Sequence, residues 1–128
     1  MRNRIAKLLE KDIQRMIMQY LVSRGAFPIR VNSMAVAGTH KGKKRFIRSN
    51  SEDGCSDILC CYRGLFLALE VKRPGARAKK TGKEASDNQL AFLEKVRRAD
   101  GVAEVVTSVE DVELILETLD KEMEQNNE

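Results

Sequence analysis

The strongest constraint on the fold is a doublet of short apolar runs. Cys55–Tyr62 and Leu65–Lys72 are both rich in strand-forming residues, and only Arg63-Gly64 stands between them. So short a connection leaves room for one tight turn, and the runs fold back on each other as a β-hairpin. Side chains alternate across a strand. The hairpin therefore brings Asp57 near Glu70, and Lys72, two residues further on, shares the face of Glu70. Asp57 follows a Gly and two small residues at the start of its strand, where an exposed sheet edge is expected. Glu70 and Lys72 end the otherwise apolar run Leu65-Phe66-Leu67-Ala68-Leu69. Burying such groups without partners is costly, so they are expected to converge on something charged. Two carboxylates beside an ammonium suit a hard divalent cation and an activated water. The same three residues also allow a plain Asp57–Lys72 salt bridge with Glu70 in solvent.

Around the hairpin the periodicity predicts further elements. Ile5, Leu8, Leu9, Ile13, Met16, Ile17, Tyr20 and Leu21 repeat at helical steps from Arg4 to Ser23, and Gly25 ends the pattern. Phe27 to Val36 reads as a strand with Ile29, Val31 and Met34 inward. Gly38 to Gly54 is a basic loop or hairpin. Pro74-Gly75 stops the second hairpin strand, and a second basic loop follows. Ser86 opens a helix to Arg98 with Leu90, Leu93 and Val96 on its inner stripe. Gly101 breaks it, Val102 to Thr107 is a strand, and Ser108 caps a last helix to about Met123, with residues 124–128 frayed. The expected order is α-β-β-β-α-β-α in one domain, with a core over about residues 10–116.

Charge is distributed unevenly. Residues 1–80 hold 18 Lys and Arg against 6 Asp and Glu, a net of +12, whereas residues 81–128 hold 5 against 13, a net of −8. A basic majority beside an acidic end suggests that the first part faces a polyanion, although charge runs are also ordinary solvated faces. No apolar run reaches the length of a membrane span and no signal-peptide pattern opens the chain, so a cytoplasmic protein without membrane contact is expected. Cys55 and the adjacent Cys60 and Cys61 make neither a disulfide framework nor a zinc pattern, and read as small apolar residues of a half-buried strand. His40, the single histidine, reads as a surface residue; Tyr20 and Tyr62 read as packing residues.

Gly54-x-Ser56-Asp57-Ile58-Leu59 followed by Glu70-Val71-Lys72 resembles the PD-(D/E)XK nuclease signature. The surroundings resemble one branch of it, the virus-type replication-repair nuclease (VRR-NUC) domains. Their E-x-x-I-Q helix is matched by Glu10-Lys11-Asp12-Ile13-Gln14, and their R-x-N-S strand by Arg30-Val31-Asn32-Ser33. A helix with a Gln is matched by Gln89-Leu90-Ala91-Phe92-Leu93, and a closing Gly-x-x-x-V-V-x-S strand by Gly101 through Ser108. The likeness runs from about Glu10 to Leu116. Ser56 stands where these domains most often have Pro.

The resemblance implies a restriction-endonuclease-like α/β fold: a four-stranded mixed sheet flanked by helices, with the site at one edge. It implies that Asp57, Glu70 and the Val71 carbonyl ligate Mg²⁺ or Mn²⁺, and that Lys72 holds the nucleophilic water or stabilises developing charge. Glu10 would reach the metal directly or through water. By angle it lies only about 20° from Ile17 at the border of the apolar stripe, and a solvated acid paired with Gln14 or Lys7 is equally open, with Asp12 its rival. Gln89 either closes a capping box with Ser86 or, as in similar nucleases, approaches Lys72 and the scissile phosphate.

The basic segments carrying Lys41, Lys43, Lys44, Arg45 and Arg48, and Arg73, Arg77, Lys79 and Lys80 (with Lys83), flank the motif strands and are expected to grip phosphates. What the resemblance implies in sum is a Mg²⁺-dependent endonuclease of a bacterial or phage-infected cell. It would be a homodimer cutting branched DNA such as Holliday junctions. A DNA-binding module without catalysis, and a nuclease with flap, nicking or sequence-specific choice, are the competing readings.

Overall fold

The structure is a computed structural model, and it describes residues 9–31, 36–40, 43–47, 54–74 and 87–126, with residues 36–40 and 43–47 as backbone alone. Helix α1 spans Glu10–Ser23 and buries Ile13, Ile17 and Leu21, a stripe at four-residue steps. Leu9 precedes it, half-exposed, and its backbone N–H donates to the Asp12 carboxylate at 3.2 Å. Asp12, which also pairs with Arg15 at 2.9 Å, thus serves the helix start. Gly25, at φ 80°, ends the helix as expected.

The strand foreseen over Phe27–Val36 is divided. Strand β1 is Phe27–Arg30, and a separate antiparallel ribbon follows, β2 (Val36–His40) with β3 (Lys43–Ile47). Met34 lies outside the described residues. The doublet forms the foreseen hairpin, β4 (Ile58–Tyr62) and β5 (Leu65–Val71), paired antiparallel from Ile58↔Leu69 to Tyr62↔Leu65. Arg63 and Gly64 both take positive φ, 52° and 84°, the backbone of the primed turns that match strand twist. Helix α2 (Asp87–Arg98), strand β6 (Val102–Val106) and helix α3 (Val109–Asn126) complete the chain. Helix α3 continues through Asn126, beyond the Met123 end foreseen and into the segment expected to fray.

The main sheet has the order β1-β4-β5-β6, antiparallel except for the parallel β5–β6 pair. One face carries Ile58, Cys60, Tyr62, Leu67, Leu69, Val71 and Val106, sealed by Ile13, Ile17 and Leu21 of α1 and Val112, Leu116 and Leu119 of α3. The other carries Ala68 and Ala103, covered by Phe92, Leu93 and Val96 of α2. The inner stripe of α2 is therefore Phe92, Leu93 and Val96; Leu90, foreseen on it, is 43% exposed. Ile29 is likewise corrected to the outside at 52% exposure, because α2 packs over β5 and β6 and leaves β1 uncovered. Val31 is half-buried against the α2-side cluster. Cys55 and Cys60 are buried and Cys61 is exposed, and none of the three is in a disulfide among the described residues. Among the described residues no helix is long and apolar enough to cross a membrane.

Candidate active site

The alternation of β5 sends Leu67, Leu69 and Val71 to the α1–α3 face, and Ala68 and Glu70 toward α2. Ile58 stands opposite Leu69, so Asp57 falls opposite Glu70 at the next register position. Order β1-β4-β5-β6 makes β4 and β5 the two central strands. The site therefore lies at the ends of the central strands and not, as foreseen, at a sheet edge: β1 covers the outer side of β4, and the Val31 N–H donates to the Asp57 carbonyl at 2.8 Å.

The Val71 N–H donates to Asp57 Oδ2 at 2.8 Å. Backbone N–H and C=O of one strand residue point toward the same neighbour, so the Val71 carbonyl is on the Asp57 side as well. Glu70 is 1% exposed, and its Oε2 accepts from Gln89 Nε2 at 2.5 Å and lies 3.5 Å from Lys72 Nζ. Its other oxygen, Oε1, is buried and has no hydrogen-bond partner among the described residues. Burial, and after it the charge of Asp57, pushes the Glu70 carboxyl up to about 8, against the opposing pull of Lys72. Burial also raises Asp57, opposed by the Val71 N–H and the charges of Lys72 and Arg30. One buried carboxyl and one half-buried one, both raised, make a site short of positive charge.

A hard divalent cation fits this donor set. Two carboxylates and a carbonyl are oxygen ligands, Mg²⁺ keeps several waters beside one or two carboxylates, and the buried Glu70 Oε1 has no hydrogen-bond partner among the described residues. Glu10 does not join them. It is the first residue of α1, half-buried, and among the described residues no group of three or more His, Cys, Asp or Glu could hold a metal ion. Asp12 is engaged at its own helix start. Gln89, the third residue of α2, turns its amide to Glu70; Ser86, its partner in the capping reading, lies outside the described residues.

Gly54 explains how α2 comes so close. It adopts φ 70°, and a Cβ there would collide with the Asn88 carbonyl and stand 2.7 Å from Gln89 N. Only glycine lets the backbone before Asp57 lie against the first turn of α2. Ser56, buried at 1%, has a hydroxyl with no hydrogen-bond partner among the described residues. Sequence reasoning assigned Gly54 no role beyond the motif. It assigned none either to the contact between Arg30 and Gln14, whose side chains bond each other beside the site at 2.9 Å.

Of the basic residues, Arg73 follows Lys72 directly and is half-buried. Lys43, Lys44 and Arg45 lie on β3 of the separate ribbon, and His40 ends β2. Lys41, Arg48, Arg77, Lys79, Lys80 and Lys83 lie outside the described residues. Tyr20 and Tyr62 pack as foreseen but also work as polar groups. The Tyr62 hydroxyl donates to Asp120 at 2.8 Å, and Arg24 bonds Asp120 at 3.0 Å and the Tyr20 hydroxyl.

Neither a family model nor a curated protein matches the chain. A solved structure described as a VRR_NUC domain superposes with a TM-score of 0.54 at 20% identity, covering 84% of this chain and 94% of its own. The mixed four-stranded sheet between helices is thus the restriction-endonuclease-like α/β architecture, and the fold is that of a VRR-NUC domain.

Proposed function

We propose that this chain, with the fold of a VRR-NUC domain, is a Mg²⁺-dependent DNA endonuclease, Mn²⁺ being an alternative ion. The single observation that carries this reading is the convergence of Asp57, Glu70 and Lys72 at the ends of β4 and β5, with one buried Glu70 oxygen that has no hydrogen-bond partner among the described residues. Asp57, Glu70 and the Val71 carbonyl would hold the cation, which when bound lowers the pKa of a water and neutralises charge on phosphate. The chain supplies the rest. Gln89 fixes the Glu70 carboxylate, and the Val71 N–H fixes that of Asp57. Lys72, a compact point charge, holds the attacking water or the developing negative charge at phosphorus. Water oxygen bonds to phosphorus as the bond to the 3′ oxygen breaks, leaving a 5′-phosphate and a 3′-hydroxyl. Glu10 is kept as a candidate that reaches the ion through water.

The proposed substrate is branched DNA such as a Holliday junction, cut by a homodimer whose two sites make paired incisions. The basic ribbon and the segment after Lys72 would supply phosphate contacts. Phe27, Ile29 and Phe66 support a subunit contact: all three are exposed, Phe27 and Ile29 on β1, which α2 leaves bare, and Phe66 in the wall of a pocket of about 330 Å³ that Phe92 and Val96 also line.

The test is a panel of labelled duplex, flap, splayed-arm and four-way DNAs with and without Mg²⁺. Cutting that needs the ion and disappears in Asp57→Ala or Lys72→Ala, with DNA binding retained, is the expected result. Binding without cutting under any ion would favour a non-catalytic module. Cutting of flaps or plain duplex alone would remove the junction substrate and keep the nuclease.

A further inference from the structure

Seven arginine side chains are described, and five of them meet a carboxylate. Arg15 pairs with Asp12 at 2.9 Å, Arg24 and Arg63 with Asp120 at 3.0 and 2.9 Å, Arg97 with Glu104 at 3.9 Å and Arg98 with Glu94 at 3.4 Å. Arg30 and Arg73 have no such partner among the described residues, and they are the two that flank the site. Arg73 follows Lys72. Arg30 ends β1, stands opposite Ile58 and so one position from Asp57, and its charge acts on the Asp57 carboxylate.

The surroundings of Arg30 are those of a cation held in place without a carboxylate in contact with it among the described residues. Its side chain is exposed, and Nε donates to Gln14 Oε1 of α1 at 2.9 Å. Gln14 is neutral, so it orients the guanidinium without cancelling its charge. The two terminal nitrogens, which match a phosphate in bidentate fashion, meet no carboxylate among the described residues. An exposed arginine kept only to help the fold gains little without a carboxylate. One held in place at the mouth of the site, with no carboxylate in contact with its terminal nitrogens among the described residues, fits an anionic ligand that crosses the site.

We infer that Arg30 binds a backbone phosphate of the DNA strand next to the one cut at Asp57 and Glu70, with Gln14 as its positioning residue. This rests on the nuclease reading above. Arg30 fixes where the strand lies across the end of β1; it does not touch the metal ligands.

The experiment measures binding of a labelled DNA by anisotropy at several salt concentrations, with Ca²⁺ replacing Mg²⁺ so that the strand stays whole. Wild type is compared with Arg30→Ala, Arg30→Lys and the remote control Arg98→Ala. Arg30→Ala should weaken binding about tenfold and flatten the slope of log K against log[salt] by about one unit. Arg30→Lys should keep the slope and lose part of the affinity, because the charge remains and the fork is gone; it also serves if Arg30→Ala does not fold. Gln14→Ala should weaken binding in wild type and have no effect in the Arg30→Ala background, the coupling expected of a positioning residue. The rise in melting temperature given by Mg²⁺ should survive in Arg30→Ala. Unchanged affinity and slope, an equal loss in Arg98→Ala, or loss of the Mg²⁺ response would each overturn the inference. Wild type that neither binds nor cuts DNA would instead bring down the nuclease reading, and this inference with it.

Discussion

Replacing Glu70 by Gln should change the pH dependence of stability more than stability itself. In the folded, metal-free chain burial and Asp57 push the Glu70 carboxyl up to about 8 from an ordinary value of 4.5. Between those pH values the folded state holds a proton that the unfolded state has released. The slope of unfolding free energy with pH is then negative, about 1.4 kcal/mol per pH unit, and stability falls as pH rises toward 8. From pH 6 to pH 8 the loss comes to about 2 kcal/mol once the approach to the folded value is included. In Glu70→Gln the side chain keeps its volume and an acceptor for Gln89 but cannot ionise, so the curve of the variant should be flat over this range. Constant terms, such as a changed hydrogen bond, cancel in the difference between pH values. The assay is urea unfolding of both proteins in EDTA at pH 6, 7 and 8, with a parallel series in Mg²⁺. The ion should lift the wild type most at pH 8, because ligation needs the carboxylate form, and should leave Glu70→Gln nearly unmoved. Parallel curves in EDTA would mean that Glu70 is ionised at both ends of the range, and would refute the argument that its charge lacks compensation in the fold.

Further predictions concern the frame of the site. Gly54→Ala should cost about 2–4 kcal/mol in urea unfolding, since it combines a positive φ with a collision on the Asn88 backbone. Gly25→Ala, at a similar φ with open space around it, should cost only about 1 kcal/mol, and equal losses would discount the collision. Ser56→Ala removes a buried hydroxyl without a partner among the described residues and should be neutral or stabilising by up to about 1 kcal/mol; a clear loss would show that the hydroxyl is bonded. The Asp120 carboxyl is held below its ordinary value by Arg63 and the Tyr62 hydroxyl. Its contribution is therefore complete above about pH 3.8 and fades as pH falls through the lowered folded value. Asp120→Asn should flatten the acid limb of a melting-temperature profile; an unaltered limb would rule out this carboxylate as its source.

Whatever depends on short range was legible in the residues alone. A two-residue turn and two apolar runs set the β4–β5 register, and with it the meeting of Asp57, Glu70 and Lys72, because alternation is a property of every strand. The helical repeat that holds Ile13, Ile17 and Leu21 is likewise legible without a partner being known, although Leu9 and Met16 of the same repeat are exposed. What lay beyond reach depended on which element covers which. Ile29 and Leu90 have the residue type of a core and are exposed, because β1 extends past the cover of α2 and the α2 stripe is turned toward Phe92. The site moved from the sheet edge to its centre once β1 took its place outside β4, a pairing between segments far apart in the chain. The Gly54–Asn88 approach, the turn of Gln89 onto Glu70 and the hold of Gln14 on Arg30 are all long-range. Local sequence carries periodicity and turn chemistry; the charge state of a buried carboxylate and the company of an arginine arise only when distant segments exclude water together.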